Sequence, residues 1–260
     1  MMSRVDDHAW IEAIADRLYR LGGVEAVALG GSRAEGTHRA DSDWDLGIYY
    51  RGHLDPQEIR DIGWAGEVFE IGAWGGGIFN GGAWLTIDGR RVDLLYRDLT
   101  VVERELEEAR AGRFHREQLQ FHLAGIPSYL LLAELAIDVV LRGTLPRPEF
   151  PRALRARAPR VWTAAAEQVF DYARDVHARH GRVAECAGLI VQAAAFAAHA
   201  VCAAEGVWCT NEKTLVERAG LRDIDRIVVG LRPDPDALAR SVEETRALCR
   251  ERLARPVARG

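Results

Sequence analysis

VEAVALGGSRAEGTHRADSDWDLGIYY, residues Val24–Tyr50, is the most informative stretch of this chain. Its first apolar run stops at Gly30 and Gly31, which indicates a strand that ends in a tight turn. A second apolar run closes the stretch, so the pattern predicts strand, turn, short excursion and strand. Because glycine has no Cβ, such a turn lets the backbone approach a bulky group closely.

The residues of this turn are typical of a phosphate-binding site. Ser32 offers a hydroxyl and a backbone N–H where a helix could begin, and a helix start carries partial positive charge. Gly30, Gly31 and Ser32 are therefore candidate nucleotide-binding residues. Arg33 could neutralise developing negative charge there, or it could be a surface partner of Asp41.

Two aspartates, Asp43 and Asp45, follow the turn at a spacing of i, i+2. On a strand this spacing puts both carboxylates on one face, where the two negative charges repel each other. A bound divalent cation relieves that repulsion. The glycine turn and the carboxylate pair together predict a site for a metal-bound nucleoside triphosphate.

A predicted hairpin supplies a third carboxylate. Asp88-Gly89 is a two-residue turn signal between the apolar segments AWLTI and RRVDLLY. Asp93 lies inside the second segment, where burial without a partner would be costly. Proximity to a metal ion held by Asp43 and Asp45 would remove that cost, so Asp93 is the third predicted metal ligand.

These motifs resemble the signature of the DNA polymerase beta-like nucleotidyltransferase superfamily. That signature is Gly-Ser, a spacer, Asp-x-Asp and a carboxylate on a later strand, and five residues match it: Gly31, Ser32, Asp43, Asp45 and Asp93. The segments GGAWLTIDGRRVDLLYRD and NEK look like a bacterial branch of small-molecule nucleotidyltransferases. Within the superfamily the chain is most similar to the antibiotic enzymes of the aminoglycoside and lincosamide type.

The resemblance implies a reaction and the residues that carry it. A nucleoside monophosphate would pass from an NTP, expected to be ATP, to a hydroxyl of a small molecule such as an aminoglycoside or lincosamide. Asp43 and Asp45 would hold two Mg²⁺ ions, or one with a second arriving with substrate, and Asp93 would complete the ion that activates the acceptor. The acceptor would sit between two domains. The general base stays open among four carboxylates: Asp93, Glu134, Asp138 and Glu167.

Composition limits the other classes of function. The chain has 260 residues and a net charge of −5, so no general basic surface indicates a nucleic-acid substrate. Four cysteines in helix-like, alanine-rich sequence, and a polar start without a signal peptide, favour free thiols in the cytoplasm. Two alternatives remain: transfer to a protein or tRNA end, as in toxin and antitoxin systems, and an inactive nucleotide-binding module. The oligomeric state is left open between monomer and homodimer.

The expected fold class is α/β (α+β). A small mixed sheet with helices should occupy residues 1–145, and a helical bundle should occupy residues 146–260, with the boundary in the proline-rich segment LPRPEFP. The apolar residues 128–142 are expected to form one helix. The nearly apolar residues 182–205 are expected to form the central helix of the bundle rather than a membrane span, so no membrane partner is expected.

Lys213 is the single lysine, beside 33 arginines. It is expected in the first turn of a short helix that Asn211 caps. An ammonium can meet a phosphate oxygen from several directions, so Lys213 is predicted to contact the triphosphate or the departing pyrophosphate. The alternative is a solvated lysine at a helix start.

Overall fold

The computed structural model describes residues 4–255, with side chains from Asp7 onward, and the chain divides into two compact units. The first unit runs to Glu107 and includes Tyr129–Glu149, whereas the second comprises Glu108–Ser128 and the chain from Phe150 onward. Residues 108–128, which the predicted boundary at residue 145 places in the first domain, therefore group with the helical unit. The division into two functional domains remains a prediction.

The described residues form eight strands and ten α-helices. The strands are β1 (Val24–Leu29), β2 (Trp44–Tyr50), β3 (Ala65–Val68), β4 (Gly82–Ile87), β5 (Arg90–Asp98), β6 (Arg116–Glu117), β7 (Ile126–Pro127) and β8 (Val139–Gly143). The helices are α1 (Arg4–Tyr19), α2 (Gly31–Ala34), α3 (Pro56–Asp61), α4 (Leu99–Arg110), α5 (Leu130–Ile137), α6 (Arg152–Tyr172), α7 (Val183–Glu205), α8 (Leu215–Arg218), α9 (Ile224–Val229) and α10 (Pro235–Ala254). A π-helical turn (Ala173–His177) and a 3₁₀ turn (Ala178–His180) follow α6.

The first unit is built on a six-stranded mixed sheet in the order β3-β4-β5-β2-β1-β8. Its central pair, β2 and β5, is parallel, and the other neighbouring strands are antiparallel. A mixed sheet with helices, followed by C-terminal helices, is the predicted fold class, which is thereby confirmed.

Strand alternation divides this sheet into a core face and an opposite face. Alternate residues of β2 and β5 belong to a core shared with α1: Trp44, Leu46, Ile48, Tyr50, Val92, Leu94 and Tyr96, with Ile11, Ile14 and Leu18 of the helix. The intervening side chains project from the other face because successive strand residues alternate. Asp45 and Asp93 are on that opposite face, so the acidic residues are separated from the main core.

The predicted hairpin is confirmed. Asp88 has a φ of 50° and Gly89 a φ of 76°, as a two-residue turn with positive φ at both positions requires. β4 and β5 pair in antiparallel register on either side, with Ile87 opposite Arg90. The turn therefore fixes which face of the sheet receives Asp93.

The expected single helix over residues 128–142 is wrong. The helix α5 ends at Ile137, Asp138 is extended with a ψ of 148°, and the chain continues as the edge strand β8. Val139 and Val140 pair with β1, and β-branched residues favour a strand when a partner edge is present. The ion pair between Arg142 and Asp16 of α1, with a 2.6 Å separation, holds the end of this strand.

The second unit is helical, and α7 packs against α6 and α10. Within residues 4–255, α7 alone is long and apolar enough to span a membrane, and 72% of its most apolar window is buried inside the protein. Such burial agrees with its predicted place in the centre of a bundle. The four cysteines are free and buried, as predicted: Cys186, Cys202, Cys209 and Cys249. Three of them lie in helices, and Cys209 lies in the loop between α7 and α8.

Candidate active site

The glycine turn and Asp45 are in direct contact. The backbone N–H of Gly30 donates a hydrogen bond to the carbonyl of Asp45 at 2.8 Å. Gly31 has a φ of 60°, and a Cβ on it would lie only 1.9 Å from Oδ2 of Asp45. Only glycine can therefore occupy this position without moving the carboxylate.

The short helix α2 starts at Gly31, one residue earlier than expected, and comprises four residues. Ser32 is half-buried in it, and its carbonyl accepts a hydrogen bond from the N–H of Thr37 at 2.9 Å. Ser32 directly follows Gly31, the residue that packs against Asp45. Phosphate binding by Gly30, Gly31 and Ser32 remains a prediction.

Asp45 and Asp93 are direct neighbours across two parallel strands. Their Cα atoms are paired in the register of β2 and β5, and both side chains are half-buried. Residues in register on adjacent strands share a face, about 4.8 Å apart. The proximity predicted from two separate motifs is thus present in the fold.

Asp43 lies two residues before Asp45, just ahead of β2, and forms an ion pair that the sequence did not reveal. Nε of Arg91 lies 2.6 Å from Oδ1 of Asp43. This buried oxygen accepts no properly directed hydrogen bond within the part of the chain that the structure describes. Arg91 also donates to the carbonyl of Asp41 at 2.9 Å. A cation binding at Asp43 must compete with this guanidinium.

The only signal in the sequence that Arg91 belongs to the site is its position relative to Asp93. It is two residues before Asp93 on β5 and therefore on the same face of the strand. Nothing in the sequence shows that this face borders Asp43, because the parallel pairing of β2 with β5 joins segments about fifty residues apart.

Arg33 holds the loop that precedes β2. Its guanidinium donates to the carbonyls of Ser42 and Asp43 at 2.7 and 3.1 Å and lies 4.0 Å from the ring centre of Trp44. Burial lowers the pKa of Arg33 below that of an exposed arginine. Asp41, the alternative surface partner of Arg33, forms an ion pair with Arg39 at 3.4 Å. Arg33 therefore positions Asp43, and its contact with nucleotide remains a prediction.

A buried polar group lies on the other side of the glycine turn. Asp138 is buried, accepts a hydrogen bond from the Tyr49 hydroxyl at 3.2 Å, and would lie 3.0 Å from a Cβ built on Gly30. Burial, reinforced by the negative charge of Glu134, raises the pKa of Asp138 above its ordinary value of 3.8. Asp138 therefore holds its proton more tightly than an exposed aspartate does, and it lies next to the glycine turn.

The four candidate general bases differ in whether an arginine already binds their carboxylate. Glu134 accepts two hydrogen bonds of 2.7 Å from the buried Arg97, and Glu167 accepts two from Arg250 at 2.8 and 2.9 Å. Both carboxylates are therefore already bound by a guanidinium through two hydrogen bonds. Asp93 is therefore the candidate base that best fits the geometry, since Asp138 must first lose the proton that burial stabilises.

The carboxylate oxygens of the candidate site suit Mg²⁺, although they do not surround an ion by themselves. Across residues 4–255 no three acidic, histidine or cysteine side chains converge closely enough to enclose an ion. Mg²⁺ prefers oxygen ligands and is commonly held by one or two carboxylates together with substrate phosphates and water. Adjacent Asp45 and Asp93, with the buried oxygen of Asp43 nearby, fit that mode.

Lys213 belongs to the helical unit, and its side chain is exposed. Its backbone N–H donates to Oδ1 of Asn211 at 3.0 Å, and α8 starts only at Leu215. The expected position in the first turn of a helix is therefore wrong, since Asn211 caps a turn ahead of the helix. The contact between Lys213 and nucleotide remains a prediction.

The neighbouring Glu212 has a role that sequence reasoning missed. Its carboxylate accepts hydrogen bonds from the backbone N–H groups of Leu123 and Ala124 at 2.6 and 2.7 Å. Part of the NEK segment therefore ties a loop of the helical unit in place.

Comparison with known proteins identifies the family. The nucleotidyltransferase domain family matches residues 11–161, more than half of the chain, and the protein belongs to this family. A search of curated proteins finds no match. Among solved structures, the chain is similar to a nucleotidyltransferase-like protein from Exiguobacterium sibiricum, with a TM-score of 0.46 and 10% identity over 93% of this chain and 75% of that one.

Proposed function

We propose that this nucleotidyltransferase is magnesium-dependent and moves a nucleoside monophosphate from an NTP, ATP in the first instance, to a hydroxyl of a small molecule. The observation that carries the proposal is the adjacency of Asp45 and Asp93 on one face of the sheet, with Gly31 packed against Asp45. A carboxylate pair beside a glycine turn suits a cation and the phosphates it accompanies.

Each residue of the site has a distinct part in this proposal. Asp43 and Asp45 hold the metal, and Asp93 orients the attacking hydroxyl. Gly31 and Ser32 hold the outer phosphates through N–H and O–H groups. When bound, Mg²⁺ supplies charge stabilisation for the transferring phosphoryl group and lowers the pKa of the acceptor hydroxyl.

An aminoglycoside or lincosamide is the proposed acceptor class, which would make the enzyme an antibiotic-modifying one. The net charge of −5 supports a cationic small molecule and opposes nucleic acid. Transfer to a protein or tRNA end, and the absence of any transfer, are the outcomes that would replace this proposal.

The test is transfer of label from α-³²P-labelled ATP, CTP, GTP or UTP in the presence of Mg²⁺ and an antibiotic panel. Label on a small molecule supports the proposal, whereas label on protein or tRNA, or none, contradicts it. Asp45→Asn and Asp93→Asn should each lower turnover by about 10²-fold or more, because each removes a charge that serves the metal. Asp61→Asn, an exposed change on α3, is the matched control.

A further inference from the structure

The face of the sheet that carries Asp45 and Asp93 also carries an exposed aromatic residue in the same row. Register pairs Glu67 of β3 with Trp84 of β4, and Trp84 with Asp93 of β5. With strands about 4.8 Å apart, Trp84 is one strand from Asp93 and two strands from Asp45. Trp84 is 52% exposed, although tryptophan is a costly residue to leave in water.

Trp84 belongs to a group of three contacting rings, which we term the aromatic platform: Phe69, Trp74 and Trp84. The two indoles are stacked with ring centres 5.7 Å apart, and Phe69 meets Trp84 edge-on at 4.7 Å. Trp74 lies over Gly82, where a Cβ would come within 2.6 Å of the indole. The glycine at the start of β4 therefore lets Trp74 pack on the strand.

The glycine-rich loop that carries Trp74 is tied to the sheet. The carbonyl of Ile78 accepts a hydrogen bond from Nη1 of Arg97 at 3.2 Å, and Nδ2 of Asn80 donates to the Tyr50 hydroxyl at 2.7 Å. These bonds join the loop to β5 and β2, the strands that carry the acidic pair. The aromatic platform is therefore held in place before any ligand binds, which lowers the entropic cost of binding.

We propose that the aromatic platform, together with Glu67, binds the acceptor, and that the acceptor is a ring-bearing small molecule with an ammonium group. Indole faces attract cations, and in this row the exposed indole of Trp84 has a carboxylate on each side, Glu67 and Asp93. A ring stacked on Trp84 would bring its hydroxyl beside Asp93. This inference rests on the proposed function and adds the surface that binds its acceptor.

Binding can be tested apart from catalysis with the full chain labelled on its indole nitrogens. Kanamycin and lincomycin serve as ammonium-bearing ring probes and raffinose as a neutral one, with Trp74→Phe and Trp84→Phe to assign the signals. At least one amine-bearing probe should shift both indole signals, and raffinose should shift neither. Glu67→Gln should weaken this binding at least threefold, and the exposed control Glu107→Gln should not. Equal shifts with raffinose, or none with either amine, would overturn the proposal.

Kinetics then separates the acceptor from the nucleotide. With the amine-bearing probe as acceptor, Trp84→Ala should raise its KM at least tenfold and change the KM for NTP less than twofold. Tyr172→Ala, an equally exposed aromatic of the helical unit, is the control. A rise in the KM for NTP alone would make the platform a nucleobase site and overturn the inference. Indole shifts without transfer would overturn the acceptor role together with the proposed function, whereas transfer without indole shifts would overturn only the platform.

Discussion

At the scale of single residues, Gly31 is the most constrained position of the site. Gly31→Ala would add both the strain of positive φ and a clash with Oδ2 of Asp45 at 1.9 Å. We expect transfer to fall by about 10²-fold, because a misplaced carboxylate loses its part in holding the metal. Gly36→Ala is the matched control, since Gly36 has a φ of 71° with nothing within 4 Å of a Cβ.

Turnover and thermal unfolding of both variants would check this prediction. Gly36→Ala should lose only the stability that backbone strain costs, on the order of 1 kcal/mol. Gly31→Ala should lose at least as much, and it alone should lose activity. Equal activity losses would mean that strain rather than contact with Asp45 matters at this turn.

Residue spacing predicted part of the geometry of the candidate site, because it reports which side chains share a face of a strand. It correctly brings Asp45 and Asp93 to one face, whereas Asp43 precedes β2, so the period of the strand does not fix its side chain. The roles of Arg91 and Arg33 could not be predicted, since they depend on which strands are neighbours and on how the loop before β2 is held.

At the scale of elements, the fold shows where local patterns stop being informative. The hairpin was predictable because its turn chemistry lies between its own strands. The edge strand β8 was not, since its apolar sequence suits a helix as well, and the edge of β1 that it joins lies more than a hundred residues earlier. The packing of Trp74 on Gly82 was equally hidden, because a loop brings the two residues together.

The contact between Asp138, the residue after α5, and Tyr49 of β2 predicts a pH dependence of stability. The folded state raises the pKa of Asp138, so at pH values above the ordinary 3.8 it retains a proton that the unfolded chain has released. The free energy of unfolding should therefore fall as pH rises above about 4, and level off once Asp138 ionises in the folded state too. The wild type should lose on the order of 1–3 kcal/mol more than Asp138→Asn over this range.

Urea unfolding at pH 5 and pH 8 measures this difference. Asparagine keeps the shape of the side chain and cannot titrate, so its curve should be flatter than that of the wild type. Asp61→Asn, at an exposed position, should behave like the wild type. Parallel curves for Asp138→Asn and the wild type would show that Asp138 does not retain its proton.

At the scale of the whole molecule, the question is whether the helical unit takes part in nucleotide binding. Lys213→Ala should raise the KM for NTP and lower kcat, and Lys213→Arg should restore little, because a planar guanidinium replaces a compact ammonium. Arg222→Ala, an exposed change in the same unit, should leave both parameters unchanged. A nucleotide-bound structure with Lys213 more than about 10 Å from every phosphate, beyond a Debye length, would refute the idea.

The ion pair between Asp43 and Arg91 should couple the binding of the metal ion to the binding of the nucleotide. A divalent ion arriving alone must displace a guanidinium and leave it without its anionic partner, whereas one arriving with a triphosphate brings oxygens that Arg91 can bind instead. Metal and nucleotide should therefore bind cooperatively, each raising the affinity of the other by the same factor. Calorimetry of Arg91→Gln should show tighter Mg²⁺ binding in the absence of nucleotide than in the wild type. The factor by which nucleotide raises the Mg²⁺ affinity should be smaller in the variant. Arg91 would thus lower the affinity of the site for Mg²⁺ that arrives without nucleotide.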